Sequence, residues 1–452
     1  MTTSDQATTM TETARPLREL PAPMSLPLIG DTLAFIADTA GYLAKRTRDL
    51  GPVFRIDVFG KPTACFVGPE ALSVFLDERN VVRDGANPPH VEEIFNPKAV
   101  PFLDGDAHRR RKKLLLEAFT DDALASYLPM IERVVGRFAR RWVEIGPFEW
   151  VPELTSMGYA IAGALFVGSD PDVDDATIEE AFERAAAGLL APPIRLPFTT
   201  FGRALKSRDY LLGVVDAALD AREGGERKAD LLQRLIDARV GKEKLSREEL
   251  RIETFHFFGA YAAVIGGLSF LGQLLAQHPD VAARAREEIE AEHGGTLTLG
   301  DLRRMRYLDA VCKESRRVST VVPITFFGRV RRECSFRGYR IPEGMKAIGC
   351  LDATMHDAQT FGDPSKFDPD RWRKAGNRQA EAWVPHGAGA HASGHRCAGE
   401  KLATLMLKVF AIQMLRGYTW QLTPGQDLTP TRGKLFATPS GGLRVRVTRR
   451  HA

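Results

Sequence analysis

Apolar residues recur at steps of three and four along most of the chain, a spacing typical of amphipathic α-helices. Shorter stretches alternate instead: "VFRIDVFGKPTACFVGP" predicts a β-hairpin with its turn at Gly-Lys-Pro, and strand signals return near 326–350 and 419–448. The pattern therefore predicts a mainly α protein with small β-sheets. The helical spacing covers ten segments: 108–119, 123–145, 153–166, 175–190, 206–222, 228–240, 247–278, 280–292, 299–318 and 398–416.

The pattern also indicates the domain organisation. No internal repeat or Gly/Ser-rich linker divides it, so we predict a single large domain over residues 21–452. Residues 1–20, "MTTSDQATTMTETARPLREL", are polar and rich in Thr, without the apolar core of a signal peptide. We predict that they form a disordered tail.

Twenty residues without a charge, 257–276, are long enough to cross a bilayer. Four glycines and Gln273 lie within this stretch, no basic loop flanks it, and amphipathic helices are predicted on both sides. A helix that is apolar all round can also be one surrounded by protein. We therefore predict a buried central helix and no transmembrane segment, with a membrane protein as the alternative.

Charge and cysteine content narrow the class of protein. The 62 basic and 58 acidic residues give a net charge of +4, which predicts no nucleic-acid partner. Five cysteines without Cys-x-x-Cys spacing indicate a reducing compartment, so we expect a cytoplasmic protein. The run "HRRRKK" (108–113) needs an explanation of its own, and a solvated helix face is the simplest one.

Cys397 has surroundings that the other cysteines lack. It follows a glycine-rich loop and precedes an amphipathic helix in "VPHGAGAHASGHRCAGEKLATLMLKVF". Glycines let the backbone approach a flat cofactor closely, and a helix N-terminus favours a thiolate. This context suits a cysteine that ligates a metal, with basic residues nearby for acidic substituents, as haem requires.

These residues resemble the cytochrome P450 superfamily over most of the chain. Its cysteine loop, Phe-Gly-x-Gly-x-(His/Arg)-x-Cys-x-Gly, is matched by five residues here. Its Glu-x-x-Arg helix and the arginine that completes the same network are matched by "ESRR" and "FDPDRW". The matching residues are Gly387, Gly389, His395, Cys397 and Gly399 in the loop, and Glu314, Arg317 and Arg371 in the network.

The resemblance implies a P450 fold, haem b as cofactor and Cys397 as the axial iron ligand. It implies that Glu314, Arg317 and Arg371 form a buried structural network that braces the loop. Four basic residues would contact the haem propionates, and four residues would line the distal pocket. The propionate candidates are His108, Lys112, Arg329 and His395; the pocket candidates are Ala260, Ala262, Ala263 and Phe326.

The chain departs from the family pattern at two places. The cysteine loop is four residues longer than usual, with His386 where the family has Phe, and it resembles the bacterial fatty-acid peroxygenase branch. Other segments, such as "LPFTTFGRALKSRDYLL", resemble retinoid-hydroxylating relatives. In the central helix, Ala262 and Ala263 stand where the family has an acid and an alcohol that deliver protons. A substrate group, ordered water or hydrogen peroxide would then have to supply them.

The expected function is therefore oxidation of an apolar small organic molecule. The leading hypothesis is a monooxygenase that receives electrons from a ferredoxin- or flavodoxin-type donor. A hydrogen-peroxide-dependent peroxygenase is the first alternative. A haem-binding sensor or carrier without turnover is the second, because of the missing acid and alcohol.

Overall fold

The structure, a computed structural model, describes residues 17–24 and 30–450. Helices form most of it, and four short 3₁₀ turns supplement them. The α-helices are α1 Thr32–Ala37, α2 Thr39–Leu50, α3 Pro69–Leu76, α4 Pro89–Phe95, α5 Gly105–Leu116, α6 Asp121–Glu144, α7 Trp150–Phe166, α8 Ala176–Ala187, α9 Thr200–Glu223, α10 Leu231–Asp237, α11 Arg247–Ala260, α12 Ala262–Gln277, α13 Pro279–Glu292, α14 Leu299–Arg304, α15 Arg306–Val318, α16 Leu351–Met355, α17 Ala358–Phe361, α18 Asn377–Ala382 and α19 Glu400–Gly417.

Three small sheets lie beside the helices. One has five strands in the order β2-β3-β9-β6-β4, and two have three strands each, β1-β8-β7 and β10-β11-β5. Together with the helices they confirm the mainly α fold class. The strands are β1 Arg18–Glu19, β2 Val53–Val58, β3 Lys61–Phe66, β4 Val81–Val82, β5 Pro147–Glu149, β6 Gly328–Val330, β7 Cys334–Phe336, β8 Tyr339–Ile341, β9 Lys346–Gly349, β10 Tyr418–Leu422 and β11 Arg444–Arg449.

The predicted hairpin exists, with a tighter turn than expected. β2 and β3 are antiparallel, and Val58 pairs with Lys61, so the loop consists of Phe59 and Gly60 alone. Both residues have positive φ, 53° and 69°, which is the backbone geometry of a two-residue type I′ turn. Lys61 therefore begins the second strand and is not part of the turn.

The uncharged stretch forms the core of the molecule. α11 and α12 together span Arg247–Gln277 and are long and apolar enough to cross a membrane, but 72% of their most apolar window is buried within the protein. α12 packs against α7, α15 and α19, and its side chains from Ile265 to Leu275 are buried. Burial among other helices thus accounts for the absence of charge.

Several boundaries differ from those predicted. The single helix expected over 299–318 is interrupted at Met305, which separates α14 from α15. Residues 1–16 of the predicted tail lie outside the described residues. Arg18–Glu19, which belong to the predicted tail, pair in parallel with β8, and Leu20 is buried, so residues 18–20 belong to the folded domain.

Two helical glycines provide a test of this packing. A Cβ at Gly266 would lie 2.5 Å from the carbonyl oxygen of Ala437 and 2.8 Å from Val321 Cγ1. We expect Gly266→Ala to lower the free energy of unfolding by about 1–3 kcal/mol, because the backbone at residue 437 must move. Chemical denaturation of the haem-loaded protein measures this change.

The matched control is Gly213→Ala in the exposed part of α9, where nothing lies within 4 Å of the added Cβ. This variant should raise the stability by about 0.5–1 kcal/mol, because alanine favours the helix. Equal effects of the two substitutions would show that the central helix does not closely approach the segment around Ala437.

Candidate haem site

The cysteine loop is fixed mainly by its own backbone. The Cys397 amide donates a hydrogen bond to the carbonyl oxygen of His386 (2.9 Å), and the Gly394 amide donates to that of Ala390 (2.8 Å). Gly387 and Gly389 have φ of +79° and +91°, values that L side chains rarely adopt. The glycines of the motif are therefore required by the turns that bring Cys397 to the start of α19.

Cys397 is reachable by solvent, unlike Cys65, Cys312 and Cys350, which are buried. Its sulfur nevertheless lies deep among protein atoms, and this burial raises the pKa of the thiol. The Gly399 amide and the charges of Lys112 and Arg396 act in the opposite direction. The sequence had suggested a stabilised thiolate, but in the protein alone burial outweighs the helix N-terminus. Coordination of a metal deprotonates such a thiol.

Two of the propionate candidates lie side by side. The rings of His108, on α5, and His395, in the cysteine loop, stack with centroids 4.1 Å apart. Burial, followed by nearby cations, lowers the pKa of His108 to about 4 and that of His395 to about 2, so both rings are neutral at pH 7. His108 Nδ1 and His395 Nε2 are buried without a hydrogen-bond partner among the described residues.

The other two candidates are placed differently. Lys112 Nζ lies 3.2 Å from the carbonyl oxygen of Gly394 and also contacts that of Arg396, so its ammonium group is bound to the cysteine loop itself. Arg329 lies on β6, where it pairs with Val82 of β4. It shows no side-chain hydrogen bond or ion pair to a described residue. The propionate roles of both residues stay predictions.

Sequence reasoning missed Arg83, which directly follows β4. Its side chain is 3% exposed, and its Nη1 is buried without a partner among the described residues. Its charge helps to lower the pKa of His108 and of His395, so it lies near both rings. In the sequence, Arg83 lies in "VVRDGANPP", where no motif or residue spacing indicates a contact with a cofactor.

These observations allow a test of whether the residues fit haem. Three buried nitrogen atoms from α5, the cysteine loop and the residue after β4 form no hydrogen bond to a described residue, and such buried polar groups are uncommon in folded proteins. Asp104 Oδ1 lies 3.8 Å from His395 Nε2, beyond hydrogen-bond distance. The three nitrogen atoms are suitable donors for a carboxylate. A solvent-reachable cysteine lies in the same loop as His395. The donor set therefore fits a group that has a ligatable metal and acidic substituents.

The predicted structural network has a fully buried centre, whereas the side chain of Arg371 is 15% exposed. Glu314 and Arg317 of α15 are 0% exposed and form a bidentate pair, with Oε1–Nη2 2.8 Å and Oε2–Nε 2.9 Å. Arg371 Nε donates to Glu314 Oε1 (3.2 Å), and the indole of Trp372 donates to Oε2 (2.9 Å). Arg317 also donates to the carbonyl oxygens of Met355, Pro364 and Lys366.

Arg316, which sequence reasoning also missed, connects this network to the cysteine loop. It is buried, and its Nη1 donates to His386 Nε2 (2.8 Å) and to Thr404 Oγ1 on α19 (3.0 Å). Burial, followed by the charge of Arg316, keeps the pKa of His386 well below its usual value, so Nε2 can accept. The unusual histidine at position 386 is thus the partner of a buried arginine.

One face of the central helix is open. Most side chains from Ile252 to Leu275 are buried, but His256, Gly259, Ala260 and residues 262–264 are only half-buried. Spacings of three, four and seven residues place them on one side of the helix. The predicted pocket residues Ala260, Ala262 and Ala263 all lie there. Phe326 is half-buried too and contacts Phe95 and Phe102 edge-on, at 5.9 and 5.1 Å.

Comparison with known proteins agrees with this architecture. Residues 20–447 match the family model described as Cytochrome P450. The structure "Retinoic acid bound cyanobacterial CYP120A1" is 30% identical, with a TM-score of 0.88, 96% of this chain and 100% of that chain covered. Cytochrome P450 26A1 of Xenopus laevis is 29% identical over 91% of this chain and 87% of its own length. Cytochrome P450 26B1 of Mus musculus is 30% identical over 88% and 81%, respectively.

The chain belongs to the cytochrome P450 family. It has the family's fold, as the sequence predicted, and it is an enzyme of a family whose relatives include monooxygenases. Membership of the family implies a haem iron cofactor, which the donor set around Cys397 fits. When bound, a thiolate-ligated haem supplies the activation of oxygen, whereas the protein supplies position, burial and hydrogen bonds.

The buried network generates a stability prediction. Glu314→Gln should lower the free energy of unfolding by about 3–5 kcal/mol, because the buried guanidinium of Arg317 and the half-buried one of Arg371 lose their carboxylate. The exposed pair of Glu290 and Arg450 provides the control, since Glu290→Gln should leave the stability nearly unchanged. Chemical denaturation of both variants checks this. A Glu314→Gln protein as stable as the control would contradict the bracing role.

The role of Cys397 has a spectroscopic test. Cys397→Ser should remove the thiolate signature from the absorption of the reduced CO complex, because a hydroxyl group donates far less electron density to iron. Cys312→Ala, a change at a buried cysteine on α15, should leave that signature intact. The same holds for variants of Cys65, Cys334 and Cys350. Persistence of the signature in Cys397→Ser would show that another residue ligates the iron.

Proposed function

We propose that this chain is a haem b monooxygenase that inserts oxygen into an apolar, retinoid-like molecule. In this proposal, Cys397 ligates the iron, and a ferredoxin- or flavodoxin-type protein supplies electrons in the cytoplasm. The observation that carries the substrate class is an apolar cavity, open in part to solvent, beside the central helix. It is lined by Ile94, Phe95, Tyr159, Phe182, Ala185, Ala186, Leu189, Phe255, Gly259 and Phe436.

The position of this cavity supports the proposal. It lies between α4, α7, α8 and α11, and it reaches the open face of the central helix at Gly259. No charged side chain lines it, as is usual for sites that bind apolar molecules. A second cavity is lined by acidic residues, including Asp170, Asp174 and Glu179, and does not suit an apolar ligand.

The retinoid class follows from the relative whose structure contains retinoic acid. That molecule has a long apolar body and one polar end, and an aromatic, uncharged cavity would bind such a body by burying apolar surface. Aromatic side chains surround the cavity on several sides: Phe182 stacks on Phe258 at 4.1 Å and on Tyr159 at 5.3 Å.

A peroxygenase is the second candidate, and the open face of the central helix favours it. Ala262 and Ala263 have no group that can deliver a proton, and residues 254–277 contain no carboxylate. Hydrogen peroxide brings its own protons, so turnover with peroxide would not need the missing pair. Product formation with an electron-donor pair and O₂, compared with peroxide alone, separates the two functions. Product from neither oxidant would indicate a sensor or carrier.

Restoring the missing pair tests the proton supply. We expect Ala262→Glu combined with Ala263→Thr to raise the fraction of NAD(P)H that yields product on a substrate without a polar group. General acid catalysis is worth about 10²–10⁴-fold, so the increase should be measurable. Product and peroxide, quantified together in the presence of a ferredoxin-type donor, give the coupling.

The control is the same measurement with peroxide as oxidant, where the double variant should gain little. Tight coupling of the unmodified protein on a pure hydrocarbon would show that it already has a proton path, and the reasoning from the two alanines would then be wrong.

A further inference from the structure

His256 is the only residue with an ionisable side chain on the open face of the central helix. Its ring lies one turn before Ala260 and two turns before Ala263, and its side chain is 12% exposed. The ring is edge-on to Phe95, with centroids 6.1 Å apart. Phe95 also lines the apolar cavity and contacts Phe326. His256 therefore borders the region in which an apolar ligand would lie.

The orientation of the ring is fixed by a buried carboxylate. His256 Nδ1 lies 3.3 Å from Glu253 Oε2, and Glu253 is 0% exposed. A carboxylate engaged by Arg111 is an acceptor, so Nδ1 carries a hydrogen and donates it. Nε2 is on the far side of the ring from Glu253. No described residue forms a hydrogen bond with it.

Glu253 is in turn held by charges that extend to the protein surface. Its Oε1 accepts from Arg111 Nη1 (2.6 Å) and from the Val100 amide (2.9 Å). Arg111 also pairs with Glu249, at 2.8 Å. Glu249 pairs with Arg110, and Arg110 with the exposed Glu243. We call these five residues, 110, 111, 243, 249 and 253, the charge ladder.

The charge ladder has an excess of one negative charge, since it contains three carboxylates and two guanidinium groups. A carboxylic acid that brings its own proton adds no net charge beside the ladder, and that proton is shared between Nε2 and a carboxyl oxygen. Charge-assisted hydrogen bonds of this kind are about twice as strong as neutral ones, and an ester has no proton to share. Apart from the Tyr159 hydroxyl, the cavity beside His256 presents apolar side chains.

We propose that His256, positioned by Glu253 and Arg111, binds the carboxylate of an otherwise apolar substrate through Nε2 and thereby determines specificity for acids over neutral analogues. This inference rests on the proposed function. It concerns the polar end of the substrate, whereas the cavity accommodates the apolar end. The sequence did not mark His256, because a single histidine among three phenylalanines is most often a core residue.

Ligand binding to the haem-loaded protein, followed by the change in ferric spin state, tests the proposal without turnover. The probes are retinoic acid, its methyl ester and retinol. We expect the unmodified protein to bind the acid most tightly. His256→Phe should weaken acid binding by about 10- to 100-fold, the range for a lost hydrogen bond to a charged group, and leave ester binding within a few-fold. His256→Gln, which keeps an N–H donor, should lose less than His256→Phe.

The matched control is His278→Phe, just after the other end of the central helix, where the imidazole is tilted against Phe367 with ring centroids 5.0 Å apart. It should leave the affinity for all three probes unchanged. Equal weakening of acid and ester by His256→Phe, or none, would overturn the role of His256 alone. A loss for retinol larger than for the acid would also overturn it. If the unmodified protein bound neither the acid nor the ester, the proposed retinoid-like substrate class would be wrong as well.

Discussion

The carboxylate of Glu314 is the group on which the haem side of the molecule depends. It is completely buried, and it accepts hydrogen bonds from the guanidinium groups of Arg317 and Arg371, the Trp372 indole and the Asp368 amide. A carboxylate removed from water in this way is tolerated only when each lone pair has a donor. The donors come from α15 and from the segment 368–372, so their positions relative to each other are fixed together.

The position of Cys397 follows from that arrangement through neighbouring residues. Arg316 follows Glu314 by two positions on α15, and its guanidinium binds the His386 ring and Thr404 on α19. The carbonyl oxygen of His386 then accepts the Cys397 amide. The guanidinium carbon of Arg316 also lies over the Trp383 ring, 5.0 Å from its centroid. A loop four residues longer than usual is therefore attached to the helix that carries the buried network and also to the helix that follows the cysteine.

The sequence predicted the long helices because a helix that is buried on one side repeats apolar residues every three or four positions. All ten helical segments correspond to helices, and the uncharged stretch is the buried centre. Arg83, Arg316 and Glu253 escaped notice because their roles arise only from contacts between distant parts of the chain: Arg316 meets His386 seventy positions away, and Glu253 meets Arg111 over 142 positions. The Met305 interruption was missed too, since apolar spacing continues across it.

The basic run of α5 shows how one helix separates its charges by face. His108 and Lys112 are four apart and face the cysteine loop, where one stacks on His395 and the other binds loop carbonyl oxygens. Arg110 and Arg111 point to α11 instead and belong to the charge ladder, whereas Arg109 pairs with Glu78 and Asp106. Since every one of these charges except Lys113 has a partner elsewhere in the fold, the run is not a free solvated surface. The same helix thus positions groups on the cysteine side and, through Glu253, near the apolar cavity.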